Sequence, residues 1–350
     1  MHDPALKLLA PYLQQVSKPT LWYADENALP LMQQLDVARN HLYIICNRYD
    51  IYQLAVKRKF LVEYNDFNTV PCKQPARILY RVSKEKSLVH YLLKLSTHCL
   101  RGEGELVLTG QKQDGIKSYH NRLLKTFLCR GYLKKTGSAY AGNYTHFQSQ
   151  IANDELAEDH YHCLEKVLTG QNKIPFFYSK PGVFGWKKID QGSELLLSCL
   201  YQQLDAKNTP SQSLLDLGCG YGWLFMNLGC RYQFDKIVAT DNNPAALLCA
   251  RKNSAAYALN VDVVASDAGD GLTETFGLIV CNPPFHQGFK HSQTLSRKFI
   301  NAVADKLDKN GSAFLVVNEF VPVEKLARGC SLETTLVSQR DGFKLLKLTH

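Results

Sequence analysis

Ser213-Leu214-Leu215-Asp216-Leu217-Gly218-Cys219-Gly220-Tyr221-Gly222 is the stretch that decides the fold. Its first half is a short apolar run of the kind that forms a buried strand. Its second half is a glycine-rich turn, and Trp223–Leu228 then reads as helix. Gly218 and Gly220 allow positive φ and close contact between backbone and ligand. The spacing Gly-x-Gly-x-Gly differs from the dinucleotide Gly-x-Gly-x-x-Gly, and alone it is weak evidence.

The pattern continues outward. Lys236–Asp241 is a second strand, ending in an acid about 20 residues after the glycines, where a carboxylate meets ribose hydroxyls. Val261–Asp267 is a third strand ending in an acid, and Gly277–Cys281 is a fourth that runs into Asn282-Pro283-Pro284-Phe285. Two prolines cannot continue a sheet, because neither donates an N–H and each fixes φ. The chain therefore leaves the sheet at Asn282. Asp216, Asp241, Asp267 and Asn282 are expected to line the carboxyl rim of a parallel sheet, where open α/β sheets bind ligands. An amide, a free proline carbonyl and an aromatic ring at one strand tip suit a planar group bearing an amine. Asn-Pro is also a common turn initiator, so the tetrapeptide alone leaves plain punctuation open.

These motifs, in this order, resemble the class I S-adenosylmethionine-dependent methyltransferases. Pro181-Gly182-Val183-Phe184, Asp190-x-Gly192-Ser193, the glycine turn and Cys281–His286 are together similar to the ribosomal RNA guanine-N2 methyltransferases of the RsmC and RlmG type. The likeness is strong over 180–350. Before that it is weaker, carried by Tyr80–Lys84 and Gly110–Ser118. It implies an α/β protein of two tandem Rossmann-like methyltransferase domains, an N-terminal degenerate copy (1–165) and a C-terminal catalytic one (166–350). It implies S-adenosylmethionine as cofactor, held by Asp216, Gly218, Gly220, Asp241, Asn242, Asp267 and Ala268. Asn282, Pro283 and Phe285 would receive and stack the amine-bearing base. Phe184 would cover cofactor or base, and His286 is a candidate proton acceptor or RNA contact. The implied target is a guanine of ribosomal RNA, in the small subunit or alternatively the large one. Glutamine methyltransferases acting on release factors usually carry Tyr in place of Phe285 and a small helical first domain. DNA adenine methyltransferases share the amine logic without the duplication. A non-enzymatic assembly factor would predict decay of the glycine turn or of Asn282, and both are intact.

Length and composition agree. At 350 residues the chain is long for one core and comfortable for two. The first half reads as a copy of the second: Ala76–Val82 resembles Phe276–Asn282, and Gly104–Thr109 resembles Gly311–Val316, at nearly equal offsets. Leu42–Cys46 would match Leu214–Leu217, followed by Asn47-Arg48-Tyr49-Asp50 with no glycine. Residues 150–170 are acidic and helical in pattern, and Asp190–Leu204 is the expected first helix of the second half.

Charge separates the halves. Residues 1–150 hold 21 Lys+Arg against 11 Asp+Glu, and the remaining residues hold 20 against 21. The excess gathers at Lys57–Lys59, at Arg77 and Arg81, and at Arg130, Lys134 and Lys135, with Tyr80, Tyr119 and Tyr132 among them. A basic surface with interleaved aromatics binds phosphate backbones and stacks on unpaired bases. Eleven cysteines show no Cys-x-x-Cys and no paired Cys/His spacing, so reduced thiols and no metal are expected. No apolar run approaches the roughly 18 residues of a membrane helix. The opening Met1-His2-Asp3-Pro4 lacks a basic-then-apolar leader, so a cytoplasmic protein is expected. The pattern leaves oligomeric state open, with a monomer favoured.

Overall fold

The computed structural model describes residues 2–36, 40–68, 74–100, 104–147, 160–169, 173–205, 212–283 and 289–350. The chain divides into two compact units, Met1–Cys163 and Leu164–His350. The first holds strands β1 (Thr20–Ala24), β2 (Leu42–Cys46), β3 (Leu61–Tyr64), β4 (Arg77–Arg81), β5 (Glu105–Gln111), β6 (Arg130–Thr136) and β7 (Ala139–Thr145). Its helices are α1 (Pro4–Gln14), α2 (Leu29–Gln34), α3 (Tyr49–Lys57), α4 (Lys86–Cys99) and α5 (Ile116–Thr126). The second unit opens with the hairpin β8 (Glu165–Leu168) and β9 (Phe176–Ser179). It continues with α6 (Gln191–Asp205), β10 (Ser213–Leu217), α7 (Trp223–Gly229), β11 (Lys236–Asp241), α8 (Pro244–Ala256), β12 (Asp262–Ala265) and β13 (Phe276–Cys281). It closes with α9 (Phe289–Lys306), β14 (Leu307–Asn318), α10 (Val323–Arg328), β15 (Glu333–Arg340) and β16 (Phe343–Thr349).

The two large sheets have one design. The first runs β3-β2-β1-β4-β5-β7-β6 and the second β12-β11-β10-β13-β14-β16-β15. Counted from its own first strand, each is 3-2-1-4-5-7-6. The first five strands are parallel, and the last two form an antiparallel hairpin against the fifth. Strands buried on both faces read as continuous apolar runs, and β1 is buried at every residue. In each unit the first three helices cover one face and the last two the other.

Three readings of the sequence need correction. Leu42–Cys46 is not the counterpart of Leu214–Leu217; it is the second strand and matches β11, whereas Thr20–Ala24 matches β10. The correspondence of β4 with β13 is also one residue out. Ile78 pairs with Leu21, and both face α4 and α5. Ile279 pairs with Leu215, and both face the matching helices α9 and α10. Because side chains alternate along a strand, only this register keeps the faces. Arg81 therefore stands where Asn282 stands. Ala24 and Glu26 take the places of Gly218 and Gly220, Trp22 that of Asp216, and Cys46 that of Asp241. The Asn65 N–H donates to the Cys46 carbonyl as the Ser266 N–H donates to that of Asp241, which puts Asp66 at the place of Asp267. The acidic stretch Asn153–Glu158 lies outside the described residues. Glu165–Leu168, expected to be helical, is strand.

Candidate active site

The central strands of the second sheet lie in the order β12-β11-β10-β13. Asp267, Asp241, the glycine turn and Asn282 follow their carboxyl ends in that order, so they form one contiguous rim. The turn leaves β10 with the N–H groups of Gly218 and Cys219 both donating to the Thr240 carbonyl, at 2.9 and 2.8 Å. Gly220 has φ 56°, and a Cβ built there would meet nothing within 4 Å. That backbone is bare toward open space. Gly222 has φ 100°, and its Cβ would stand 2.7 Å from the Phe225 ring. This glycine serves the turn into α7.

Asp241 ties the turn to the second strand. Its Oδ2 accepts from the Gly220 N–H at 2.9 Å and its Oδ1 from the Asn243 N–H at 2.8 Å. Asn243 caps α8, accepting from the Ala245 N–H at 3.0 Å, and its Nδ2 donates to the Gly182 carbonyl at 2.8 Å. The Pro181–Phe184 turn is thereby held beside the Asp241 loop, with Phe184 half-exposed. Asn253 of α8 fastens the aromatic segment before it. Its Oδ1 accepts from the Tyr178 N–H at 2.7 Å, and its Nδ2 donates to the Tyr178 and Tyr221 carbonyls at 2.9 and 2.8 Å.

Asp216 sits under the rim rather than on it. It is fully buried, and its Oδ2 accepts from the Phe225 N–H at 3.1 Å. Its Oδ1 has no partner among the described residues. Burial pushes its carboxyl up to about 7, against the Phe225 hydrogen bond and aided by the Asp241 charge. Asp267 forms an ion pair with Lys298 of α9, and its Oδ1 accepts from Asn242 Nδ2 at 3.5 Å. Ala268, next to it, has φ 54°. Sequence reasoning missed Lys298, since nothing in the local pattern of α9 marks it.

The Asn282 side chain is held at its amide nitrogen. Its Nδ2 donates to Asp190 Oδ2 and to Ser193 Oγ, both at 2.7 Å. Asp190 in turn caps α6: its Oδ2 accepts from the Ser193 N–H at 2.9 Å. Gly192 keeps the corner open, since its Cβ would come within 3.1 Å of Asp190 Oδ2. Pro283 is buried directly after Asn282. Pro284, Phe285 and His286 lie outside the described residues.

The motif Asp190-x-Gly192-Ser193 was visible in the sequence, but its contact with Asn282 was not. The residues present suit S-adenosylmethionine. Gly220 leaves open space over bare backbone, Asp216 has an orphaned buried oxygen beneath it, and Asp241 and Asp267 stand on the two neighbouring strands. Among the described residues, no group of three or more His, Cys, Asp or Glu gathers as metal ligands, and no helix is long and apolar enough to cross a membrane.

Comparison with known proteins agrees with this fold. The methyltransferase small domain family matches residues 175–347, and its N-terminal companion, the methyltransferase small domain N-terminal family, matches 8–157. A ribosomal RNA small subunit methyltransferase C of Pseudomonas aeruginosa (strain LESB58) is 32% identical over 269 residues, covering 75% of each chain. The chain belongs to the ribosomal RNA small subunit methyltransferase C family. Its Marinomonas relative of the same description is 30% identical over 77% of this chain and 73% of that one. The fold also matches a T. thermophilus structure described as the 16S rRNA N2 G1207 methyltransferase (RsmC) in complex with AdoMet and guanosine. The TM-score is 0.80 at 22% identity, over 99% of this chain and 92% of that one. In this chain each unit carries a full seven-stranded sheet of the same strand order, so the duplication read from the sequence is a duplication of architecture.

Proposed function

We propose that this chain transfers the methyl group of S-adenosylmethionine to the exocyclic N2 of one guanine in 16S ribosomal RNA. The observation that carries the reading is Asn282. Its NH2 is turned inward on Asp190 and Ser193, so its side-chain oxygen is the group left for an incoming amine. The cofactor supplies a sulfonium methyl that is already activated, so the protein's task is orientation and charge placement.

Each residue has a part in that task. The methionine portion would pass the glycine turn at Gly218 and Gly220, where Gly220 leaves the backbone bare. Asp241 would accept from ribose hydroxyls, while Asn242, Asp267 and Ala268 would border the adenine. Asp216, beneath the turn, would order it and the methionine ammonium. The N2 lone pair of guanine is delocalised into the ring and poorly nucleophilic. When the Asn282 oxygen and the Pro283 carbonyl accept the two N2 hydrogens, the nitrogen is drawn toward tetrahedral geometry and its lone pair is aimed. The sequence assigns base stacking to Phe285. A paired or stacked guanine must first be extruded to reach this rim.

The first unit is read as the RNA-holding half. Strand β6, at the edge of its sheet, is exposed along nearly its whole length. Arg130, Tyr132 and Lys134 alternate on one of its faces, and Tyr132 is 61% exposed. Cations flanking a free aromatic ring suit a phosphate backbone with unpaired bases. Other members of the basic excess are committed within the unit. Arg58 donates to the Gln33 and Leu35 carbonyls, Arg77 pairs with Glu105 at 2.7 Å, and Arg81 pairs with Asp3 and Asp114. The partner is the ribosomal RNA or the small subunit, in the cytoplasm.

The test offers labelled cofactor to 16S RNA, assembled small subunits, 23S RNA, DNA and free protein side by side, then maps the product. Label on the N2 of a single 16S guanine is expected. Label confined to DNA, protein or 23S RNA refutes the reading.

A further inference from the structure

We propose that Asp190 and Ser193 are positioning residues for methyl transfer: together they take both amide hydrogens of Asn282 and fix its oxygen toward the substrate. The inference rests on the reading of Asn282 as the receiver of the amine. Its physical basis is the difference between donors and acceptors. An ionised carboxylate can only accept hydrogen bonds. The Asn282 group that faces Asp190 Oδ2 at 2.7 Å must therefore be the NH2, and the amide is not free to turn over. Ser193 Oγ, also at 2.7 Å, takes the second hydrogen. Nothing among the described residues donates to the remaining oxygen.

A selectivity follows. Held this way, Asn282 offers the ligand an acceptor and no donor. A group with N–H bonds is welcomed, whereas a ring carbonyl would set oxygen against oxygen. A guanine must then enter with its N2 edge leading and not its O6 edge.

The first unit has the same connection with the opposite outcome. Arg81, at the place of Asn282, donates from Nε to Asp3 Oδ2 at 3.0 Å. Asp3 caps α1, as Asp190 caps α6. The fold thus links strand-four end to first-helix cap in both units. An arginine has only donors, so the first unit can present no acceptor there. The helix cap is also what a purely structural Asp190 would provide, and Ser caps helices about as well as Asp. Asp190 uses one oxygen, Oδ2, for both the cap and Asn282; a shorter serine keeps the cap and withdraws the acceptor from Asn282, so exchange of Asp for Ser at 190 separates the two roles.

Single-turnover rates, cofactor affinity and thermal stability would be measured for Asp190→Ser, Ser193→Ala and Asp190→Asn. Asp190→Ser and Ser193→Ala each remove one acceptor of the Asn282 amide and let it turn over. Each rate should fall about 10–100-fold, the effect of a misplaced reacting group, with cofactor affinity and melting temperature near wild type. Asp190→Asn keeps an oxygen at the place of Oδ2, where it caps α6 and accepts from Asn282, and should recover tenfold or more over Asp190→Ser. A wild-type rate for Asp190→Ser, or a rate for Asp190→Asn no higher than that of Asp190→Ser, overturns the proposal while leaving the RNA reading intact.

A second measurement needs no substrate. Asparagine-selective ¹⁵N labelling shows the Asn282 side-chain NH2, identified by its absence in Asn282→Ala. Asp190→Ser should displace that signal, and an unmoved signal overturns the proposal. A displaced signal in a protein that methylates no RNA supports the positioning role and refutes only the substrate.

Discussion

At the end of its fourth strand the first unit carries Arg81 and the second Asn282, and each side chain reaches the carboxylate that caps its unit's first helix. The scaffold is common to both, down to strand order and cap. What differs is whether anything is left over for a ligand. In the second unit Gly220 opens onto space and Asn282 keeps an acceptor. In the first, the rim is closed on itself. Glu26 fills the place of Gly220 and accepts from Ser83 Oγ at 2.7 Å, and Asp66 accepts from Tyr161 at 2.6 Å. Arg81 is buried between Asp3 at 3.0 Å and Asp114 at 2.9 Å. A duplicated binding fold can thus become a scaffold by pairing its rim groups with each other, with no change of topology.

The comparison can be broken most severely at Arg81. If this side chain is a structural plug, Arg81→Ala leaves two carboxylates without their cation. It should destabilise the protein by about 3–5 kcal/mol, the range for breaking a buried ion pair. Cofactor affinity of the folded fraction should be unchanged. Denaturant unfolding with calorimetry checks both, and loss of cofactor binding by folded protein would put Arg81 in the wrong category.

A second contrast lies in buried carboxyls. Asp216 is pushed up to about 7 by burial, with Asp241 adding to it. Asp25 is pushed up to about 8 by burial, with Glu26 adding to it. Both values exceed the roughly 3.9 of an unfolded aspartate. The native state therefore holds these protons more tightly, and stability should fall as pH rises from about 4 through 7 or 8. Asp216→Asn should remove the part of that fall belonging to the second unit, and Asp25→Asn the part belonging to the first. Each pKa unit corresponds to about 1.4 kcal/mol, so melting temperatures at pH 5 and 8 resolve the effect. A stability that rises over this range contradicts both assignments.

The cofactor rim gives the next effect. Asp241→Ala should weaken S-adenosylmethionine binding by on the order of 1–3 kcal/mol through lost hydrogen bonds. Cys46→Ala, at the matching place in the first unit, should leave it untouched. Calorimetry of the two variants sharpens the comparison directly. The smallest effect belongs to β6. Reversing Lys134 and Lys135 should reduce RNA affinity and the steepness of its salt dependence, by roughly 0.7–0.9 in log–log slope per lost phosphate contact. Cofactor binding should be unaltered. An unchanged slope would assign the basic edge to another partner.

What the sequence revealed was local. The glycine turn, the acids after β11 and β12 and the Asn-Pro-Pro break are each contained within a few residues, so composition and spacing expose them. The strand β1 carries little signal, because Thr20–Ala24 is only five residues and lacks alternation, being buried on both faces. The register between β4 and β13 is not legible in their apolar runs, which carry no record of which face each side chain takes. Contacts across the fold were out of reach. Asp190 meets Asn282 over a separation of 92 residues, and Asp3 meets Arg81 over 78. Nothing in either segment alone names its partner.

The most direct test of the account is Asn282→Ala, read by single-turnover methyl transfer to 16S RNA alongside calorimetric titration of the cofactor. If Asn282 aligns the amine only in the transition state, the rate should fall by a factor on the order of 10² to 10³ or more, while cofactor affinity stays near wild type. A near-normal rate in this variant would contradict the amine-receiving role and the contrast between the two rims.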